Sequence, residues 1–71
     1  MKVTANQTEK LLRSSQKFSQ LGFSMLLTRL KSKYASEPSD DLLQTSTAEI
    51  NAFLEKFKAI MGSDYNLITK L

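Results

Sequence analysis

The segment from Leu11 to Tyr34 carries apolar residues around more of its circumference than one neighbouring helix could cover. At about 100° per residue, Leu11, Phe18 and Met25 fall together, and the apolar positions continue around the helix through Leu27 to Tyr34. The apolar arc spans roughly two-thirds of the circumference, which is typical of a helix that is central in a larger assembly. The chain has room for only one other long helix, so this pattern predicts a partner for the remaining apolar surface.

A capping signal and the single proline set the bounds of this first helix. Thr4 and Gln7 have the spacing of a capping box, which predicts a helix start near residue 5. Pro38 disfavours helical backbone at Glu37, the residue before it. We therefore predict one continuous helix over about 5–35.

The second helix has two candidate starts. Ser39 can cap a helix over about 39–61, whereas Ser46 begins a second capping-box pattern. We prefer the single helix from Ser39, with a weak point at residues 45–47. Its apolar seam is narrow and heptad-like, as in a helix that packs on one side; the seam consists of Leu43, Thr47, Ile50, Leu54, Phe57 and Met61.

A third, short helix is predicted at the end of the sequence. Gly62 is a natural C-cap, and Ser63 and Asp64 can cap a final helix over about 64–71. The predicted fold is all-α, with residues 1–71 forming a single small helical domain. It is an antiparallel helical hairpin plus the short helix, completed into a bundle by dimerisation or by a partner.

Composition argues against most small catalytic and cofactor sites. The 71 residues include no cysteine and no histidine, which removes the commonest nucleophile, general base and metal ligands. The glycines, Gly22 and Gly62, are too few for a phosphate-binding loop. We expect no enzymatic activity, no cofactor and no metal. A chain this short is marginally stable alone unless it is stapled or oligomeric.

The best candidate for a partner interface is the side of the first helix that the second helix cannot reach. This surplus face consists of Phe23, Leu27, Leu30 and Tyr34. The other side, around Leu11, Phe18, Leu21 and Met25, suits the narrow seam of the second helix. Left uncovered, the surplus face would be an unusually large apolar patch. The alternative is that the C-terminal helix folds back over it.

The polar side of the first helix is basic. Lys10, Arg13, Lys17 and Lys31 fall on one stripe in steps of three or four residues, or multiples of them. Residues 1–34 contain seven lysines and arginines against one acidic residue, whereas residues 35–71 contain three against six. The stripe is either a solvated face balanced by the acidic second helix or a surface for an anionic partner such as nucleic acid.

Small residues mark one flank of the first helix. Ser15, Ser19 and Gly22 lie together within the apolar arc, where glycine costs about 1 kcal/mol relative to alanine. They predict either a groove for another helix or simple packing of Gly22 on the second helix. Both interpretations indicate a helix crossing rather than a ligand site.

The turn and the start of the second helix are loosely similar to type III secretion needle subunits and their hairpin co-chaperones. The similarity rests on the heptad seam, which covers about half of the chain, and on Pro38-Ser39-Asp40 and Leu42-Leu43. These features are common to helical hairpins. The resemblance implies a needle-like or co-chaperone-like hairpin as one alternative.

The sequence therefore predicts a non-enzymatic helical interaction module: a regulator, inhibitor, immunity protein or chaperone-like protein. Its expected partner is a second copy or a helix of another protein, in a homo-oligomer or an obligate hetero-complex. Nucleic-acid binding through the basic stripe is the competing class. Without a signal peptide or a span of about 20 apolar residues, a cytoplasmic location is the default, although export without a signal would leave no trace in the sequence.

Overall fold

A computed structural model describes residues 2–71 and shows four α-helices packed around a shared core. Helix α1 spans Ala5–Arg13, α2 spans Leu21–Ser36, α3 spans Asp40–Met61 and α4 spans Ser63–Thr69. No β-strand occurs within residues 2–71. The prediction of an all-α fold is confirmed.

The prediction of one continuous helix over 5–35 is wrong. Helix α1 ends at Arg13, and residues 14–20 form a non-helical connection before α2 begins. The backbone of Ser14 is extended, with φ −80° and ψ 150°. Gln20 is also extended and caps α2, since its side-chain oxygen accepts from the N–H of Phe23 at 3.1 Å.

Contacts from distant parts of the chain stabilise the non-helical conformation of this connection. The carboxylate of Asp64 in α4 accepts from the backbone N–H groups of Ser19, at 2.8 Å, and Gln20, at 2.6 Å. The ammonium of Lys31 donates to the carbonyl of Ser14 at 2.6 Å. Local propensity for helix is weak enough that such tertiary contacts override it, and serine side chains compete for nearby backbone groups.

Helix α1 runs antiparallel to α3. The backbone N–H of Val3 donates to Asn51 Oδ1 at 2.7 Å, and the Asn51 amide donates back to the Val3 carbonyl at 3.1 Å. Further along, the hydroxyls of Thr8 and Thr47 hydrogen-bond at 2.6 Å. Residue numbers therefore rise along α1 as they fall along α3.

Helix α1 also packs on α2, and polar side chains join the two helices near their C-terminal ends. The Tyr34 hydroxyl donates to Glu9 Oε2 at 2.9 Å, and the Arg13 guanidinium forms an ion pair with the same carboxylate at 3.5 Å. The Arg13 guanidinium carbon also lies 5.9 Å from the centre of the Tyr34 ring.

Helix α2 is antiparallel to α3 as well, since the Phe23 ring packs on that of Phe53 and Arg29 pairs with Glu49 at 2.9 Å. Helices α1 and α2 therefore point the same way, and the 14–20 connection returns along the bundle.

The packing of α1 on α2 explains why the surplus face is not at the surface. Phe23, Leu27, Leu30 and Tyr34 are 0%, 3%, 1% and 8% exposed, so all four belong to the core of the single chain. The sequence interpretation placed them outside because it assumed an unbroken helix. Once the helix breaks, its own N-terminal part supplies the covering element.

The covering helix is α1 rather than the C-terminal helix. Helix α1 packs against both α2 and α3, whereas α4 packs mainly against α3. Leu11 and Leu12 of α1 and Ile68 of α4 are all buried in the shared core. The alternative in which the C-terminal helix covers the surplus face is therefore not the arrangement in this structure.

Helix α3 begins and ends close to the predicted residues. Ser39 caps it by accepting from the N–H of Leu42 at 3.1 Å, so the longer of the two candidate helices is confirmed. Ser46 lies inside the helix and is buried. The departure from helical geometry falls at Phe57, with φ −118° and ψ 21°, rather than at 45–47. Gly62 ends the helix with φ 52°.

Candidate interaction surface and basic cavity

Three large apolar side chains remain exposed on the folded chain. Leu21 is 71% exposed, Met25 is 63% exposed and Ile60 is 55% exposed. Leu21 and Met25 lie one turn apart on the same face of α2. Ile60 lies near the end of α3. We call these three residues the apolar end.

The exposure of Leu21 and Met25 contradicts one part of the sequence prediction. Leu21 and Met25 were expected to pack on the second helix, together with Leu11 and Phe18. Leu11 and Phe18 are indeed buried, but Leu21 and Met25 point to solvent. The side of α2 that meets α3 is instead the one with Gly22 and Phe23, which lie against Phe53.

A row of aromatic rings links the core to this end of the molecule. The ring centres of Phe18 and Phe23 are 5.1 Å apart in a T-shaped arrangement, and those of Phe23 and Phe53 are 5.5 Å apart. The row continues to Phe57, whose ring centre lies 4.7 Å from that of Phe53. Phe53 and Phe57 are only partly buried, so they add apolar surface beside α2.

Gly22 brings the first turn of α2 close to this aromatic row. A Cβ atom at Gly22 would lie 3.3 Å from Phe53 Cζ and 3.0 Å from Gln20 Oε1. The glycine thus accommodates packing on α3, as one of its two interpretations stated. Ser15 and Ser19, expected on the same helical flank, lie instead in the non-helical connection.

The predicted basic stripe is divided by the same break. Lys10 donates to the carbonyl of Leu71 at 3.0 Å, which joins α1 to the end of α4. Hydrogen bonding by Tyr34 and then the charge of Glu9 raise the pKa of Arg13 above its ordinary value. These two basic residues are therefore engaged with protein groups.

Lys17 and Lys31, the other two members of the stripe, converge on a cavity of about 320 Å³ between the connection and α2. Lys31 is partly buried and Lys17 is exposed. Three hydroxyl residues and an amide share the polar lining, and two core side chains form the apolar wall; these residues are Ser15, Gln16, Ser24, Thr28, Phe18 and Leu27. No acidic residue lines this cavity.

Two other cavities among residues 2–71 have mixed charge. One, of about 500 Å³ at the turn between α2 and α3, places Lys33 with Glu37 and Asp41. The other, of about 330 Å³, places Lys2 and Lys58 with Glu55. The basic cavity therefore differs from both in the sign of its charged lining.

The described residues contain no grouping of three or more carboxylate, thiol or imidazole side chains that could hold a metal ion. None of the four helices, within residues 2–71, has the length and apolar character needed to cross a membrane. Comparison with known protein families, with curated proteins and with solved structures finds no match.

Sequence reasoning missed the structural role of Asp64. It was expected to cap the last helix, but α4 has no side-chain cap and the Asp64 carboxylate instead binds the connection. Its burial, with 1% of the residue exposed, carries no signature in the sequence. The exposure of Ile60 was also missed, because Ile60 flanks the apolar seam of α3.

Proposed function

We propose that this chain is a non-enzymatic helical module that binds another protein through the apolar end. The observation that carries the proposal is the exposure of Leu21, Met25 and Ile60 on a chain whose other large apolar residues are mostly packed in a core. Exposed apolar side chains that occur singly are ordinary, whereas a grouped set marks an interaction surface. Leu21 and Met25 form such a group on one helical turn.

The neighbouring aromatic residues strengthen this proposal. Phe53 and Phe57 are partly exposed on α3, and Phe53 lies against the turn of α2 that contains Gly22. Aromatic residues and methionine are enriched in protein interfaces. A helix laid along this end could bury Leu21, Met25 and part of the two rings together.

The same surface suits a second copy of the chain, which is the partner we test first. A protein of 71 residues buries a limited core, and association adds to the apolar area removed from water. A two-fold dimer would place the same apolar surface on both sides of the interface. A regulator, inhibitor, immunity protein or chaperone-like protein would instead offer this surface to a helix of a different protein.

Sedimentation velocity over a range of protein concentrations tests the proposal. We expect self-association in the wild type and monomers for Leu21→Glu and Met25→Glu, because a charge in the interface is desolvated without a partner. Ala35→Glu is the matched control, since Ala35 is exposed near the other end of α2. It should associate as the wild type does.

The heterologous form of the proposal has its own readout. A wild-type monomer that binds a hydrophobic dye, with binding lost in Met25→Glu but kept in Ala35→Glu, would assign the surface to a different protein. A stable monomer that binds no dye would overturn the proposal in both forms.

The two competing interpretations gain less support. The continuous basic stripe expected for nucleic-acid binding is not formed, because Lys10 and Arg13 contact protein groups while Lys17 and Lys31 line a cavity. The needle-like alternative implied a hairpin of two helices, whereas the first of these is interrupted at 14–20.

A further inference from the structure

We propose that the basic cavity between the 14–20 connection and α2 binds a phosphate group, either free phosphate or a small phosphate monoester. This inference is independent of the apolar end, which lies on other residues. It starts from the sign of the cavity's charges. Lys17 and Lys31 line it and no carboxylate does, whereas the cavity at the turn between α2 and α3 and the one beside Lys2 both mix the two signs.

The position of Lys31 favours an anion in the cavity. Its ammonium donates to the carbonyl of Ser14 at 2.6 Å, and this bond holds it beside the connection whose next residues, from Ser15 to Phe18, line the cavity. An ammonium has three donors, so two remain for a ligand. Because the side chain is partly buried, its charge is less screened by water than that of a fully exposed lysine.

The hydroxyl groups on the wall complete a suitable set of donors. Ser15 from the connection and Ser24 from α2 line the same space as the two lysines. The Thr28 hydroxyl already donates to the Ser24 carbonyl at 2.9 Å and therefore presents a lone pair rather than a proton. Two cations with two serine hydroxyls match the several acceptor oxygens of a phosphate group better than the single charge of a halide.

The size and the electrostatic setting of the cavity agree with a small ligand. A volume of about 320 Å³ is at the lower end of the range for small-molecule sites. The lining comes entirely from residues 15–31, within the half of the sequence where seven basic residues face one acidic residue. That acidic residue, Glu9, is already bound by Arg13 and Tyr34.

NMR titration of the ¹⁵N-labelled chain at constant ionic strength tests the proposal. Inorganic phosphate and ribose 5-phosphate are the two probes, and uncharged ribose is the control ligand. We expect saturable shifts of the amides of Ser15, Lys17, Ser24 and Lys31. Tighter binding of ribose 5-phosphate would assign the site to a monoester, and equal or tighter binding of inorganic phosphate would assign it to the free anion.

Variants that each remove one lysine charge distinguish binding in the cavity from attraction by the overall positive charge of the chain. Lys17→Met and Lys31→Met should each weaken binding about tenfold, the usual effect of one charge-assisted hydrogen bond. Lys33→Met removes the same charge two residues from Lys31 on α2 but outside this cavity, and should bind as the wild type does. Lys17 is exposed, so Lys17→Met remains a valid test if Lys31→Met disturbs the connection.

Two results would overturn this inference. One is a shift that rises linearly with both probes without saturating, which indicates ionic association only. The other is an equal loss of binding in Lys17→Met and Lys33→Met, which would place the effect in net charge rather than in the cavity.

Discussion

The buried carboxylate of Asp64 accepts a hydrogen bond from the backbone N–H of Ser19 at 2.8 Å, across 45 positions of the chain. Its second oxygen accepts from the N–H of Gln20 at 2.6 Å. These two N–H groups would bond within a helix if residues 14–20 were helical. Asp64 thus ties α4 to the connection and favours the break between α1 and α2.

Asp64→Ala should therefore lower the free energy of unfolding by about 3 kcal/mol, since it removes two charge-assisted hydrogen bonds and leaves two N–H groups without their acceptor. Equilibrium unfolding in urea measures the change. Asp40→Ala is the control, because Asp40 is exposed in the first turn of α3 and should cost less than about 1 kcal/mol. Equal losses in the two variants would contradict this role of Asp64.

Helix ends were predictable where their causes are local. The capping box of Thr4 and Gln7, the Ser39 cap and the Gly62 C-cap each depend on residues within one turn, and all three are present in the structure. The break at 14–20 is stabilised instead by contacts with Asp64 and Lys31, which lie outside the segment. No periodicity in the segment itself reveals such a contact.

The exposed surface was mispredicted for the same reason. The apolar arc predicted that one neighbouring helix could not cover Phe23 and Leu27 as well. The additional helix that covers them is α1, from the same chain. The expected exposed side became core, and Leu21 and Met25 became surface. In the basic stripe, Lys17 and Lys31 meet at the cavity although the helix that was predicted to join them is broken.

Gly62→Ala should destabilise the chain by about 1–2 kcal/mol because the residue has φ 52° and ψ −127°, a conformation that L side chains rarely adopt. Apart from Gly62 and the two residues adjacent to it, no atom lies within 4 Å of the added Cβ, so the cost comes from the backbone conformation. Thermal unfolding followed by circular dichroism measures it. Ser63→Ala, one residue later in α4, should change stability by less than about 0.5 kcal/mol; a loss equal to that of Gly62→Ala would contradict the backbone explanation.

Ser46→Ala should stabilise the chain. The Ser46 hydroxyl is buried in α3 and has no hydrogen-bond partner among the described residues, so its removal relieves a desolvation cost of about 1 kcal/mol. Ser32→Ala, at an exposed helical position in α2, measures the gain in helix propensity alone. Urea denaturation should show a larger gain for Ser46→Ala than for Ser32→Ala, and the reverse order would show that the hydroxyl is satisfied.

Truncation of a side chain to alanine should lower the free energy of unfolding much more in the core than at the apolar end. Phe23→Ala should cost about 3–5 kcal/mol, because the ring is fully buried between Phe18 and Phe53. Leu21→Ala should cost less than about 0.5 kcal/mol in the monomer, since Leu21 is exposed. Both values come from denaturation at a concentration where the protein is monomeric. A small loss for Phe23→Ala would mean that Phe23 lies at a surface, as the sequence interpretation had it.

Helix α1 packs beside α2 in the same direction, which buries the surplus face and leaves the apolar end exposed. The most direct test is the spin-label distance between Asn6→Cys and Lys33→Cys, both at exposed positions of a chain that has no cysteine of its own. Excess unlabelled protein removes distances between chains. The Glu9–Tyr34 hydrogen bond of 2.9 Å predicts a backbone separation below about 20 Å, whereas an unbroken helix would give about 40 Å and would contradict the account.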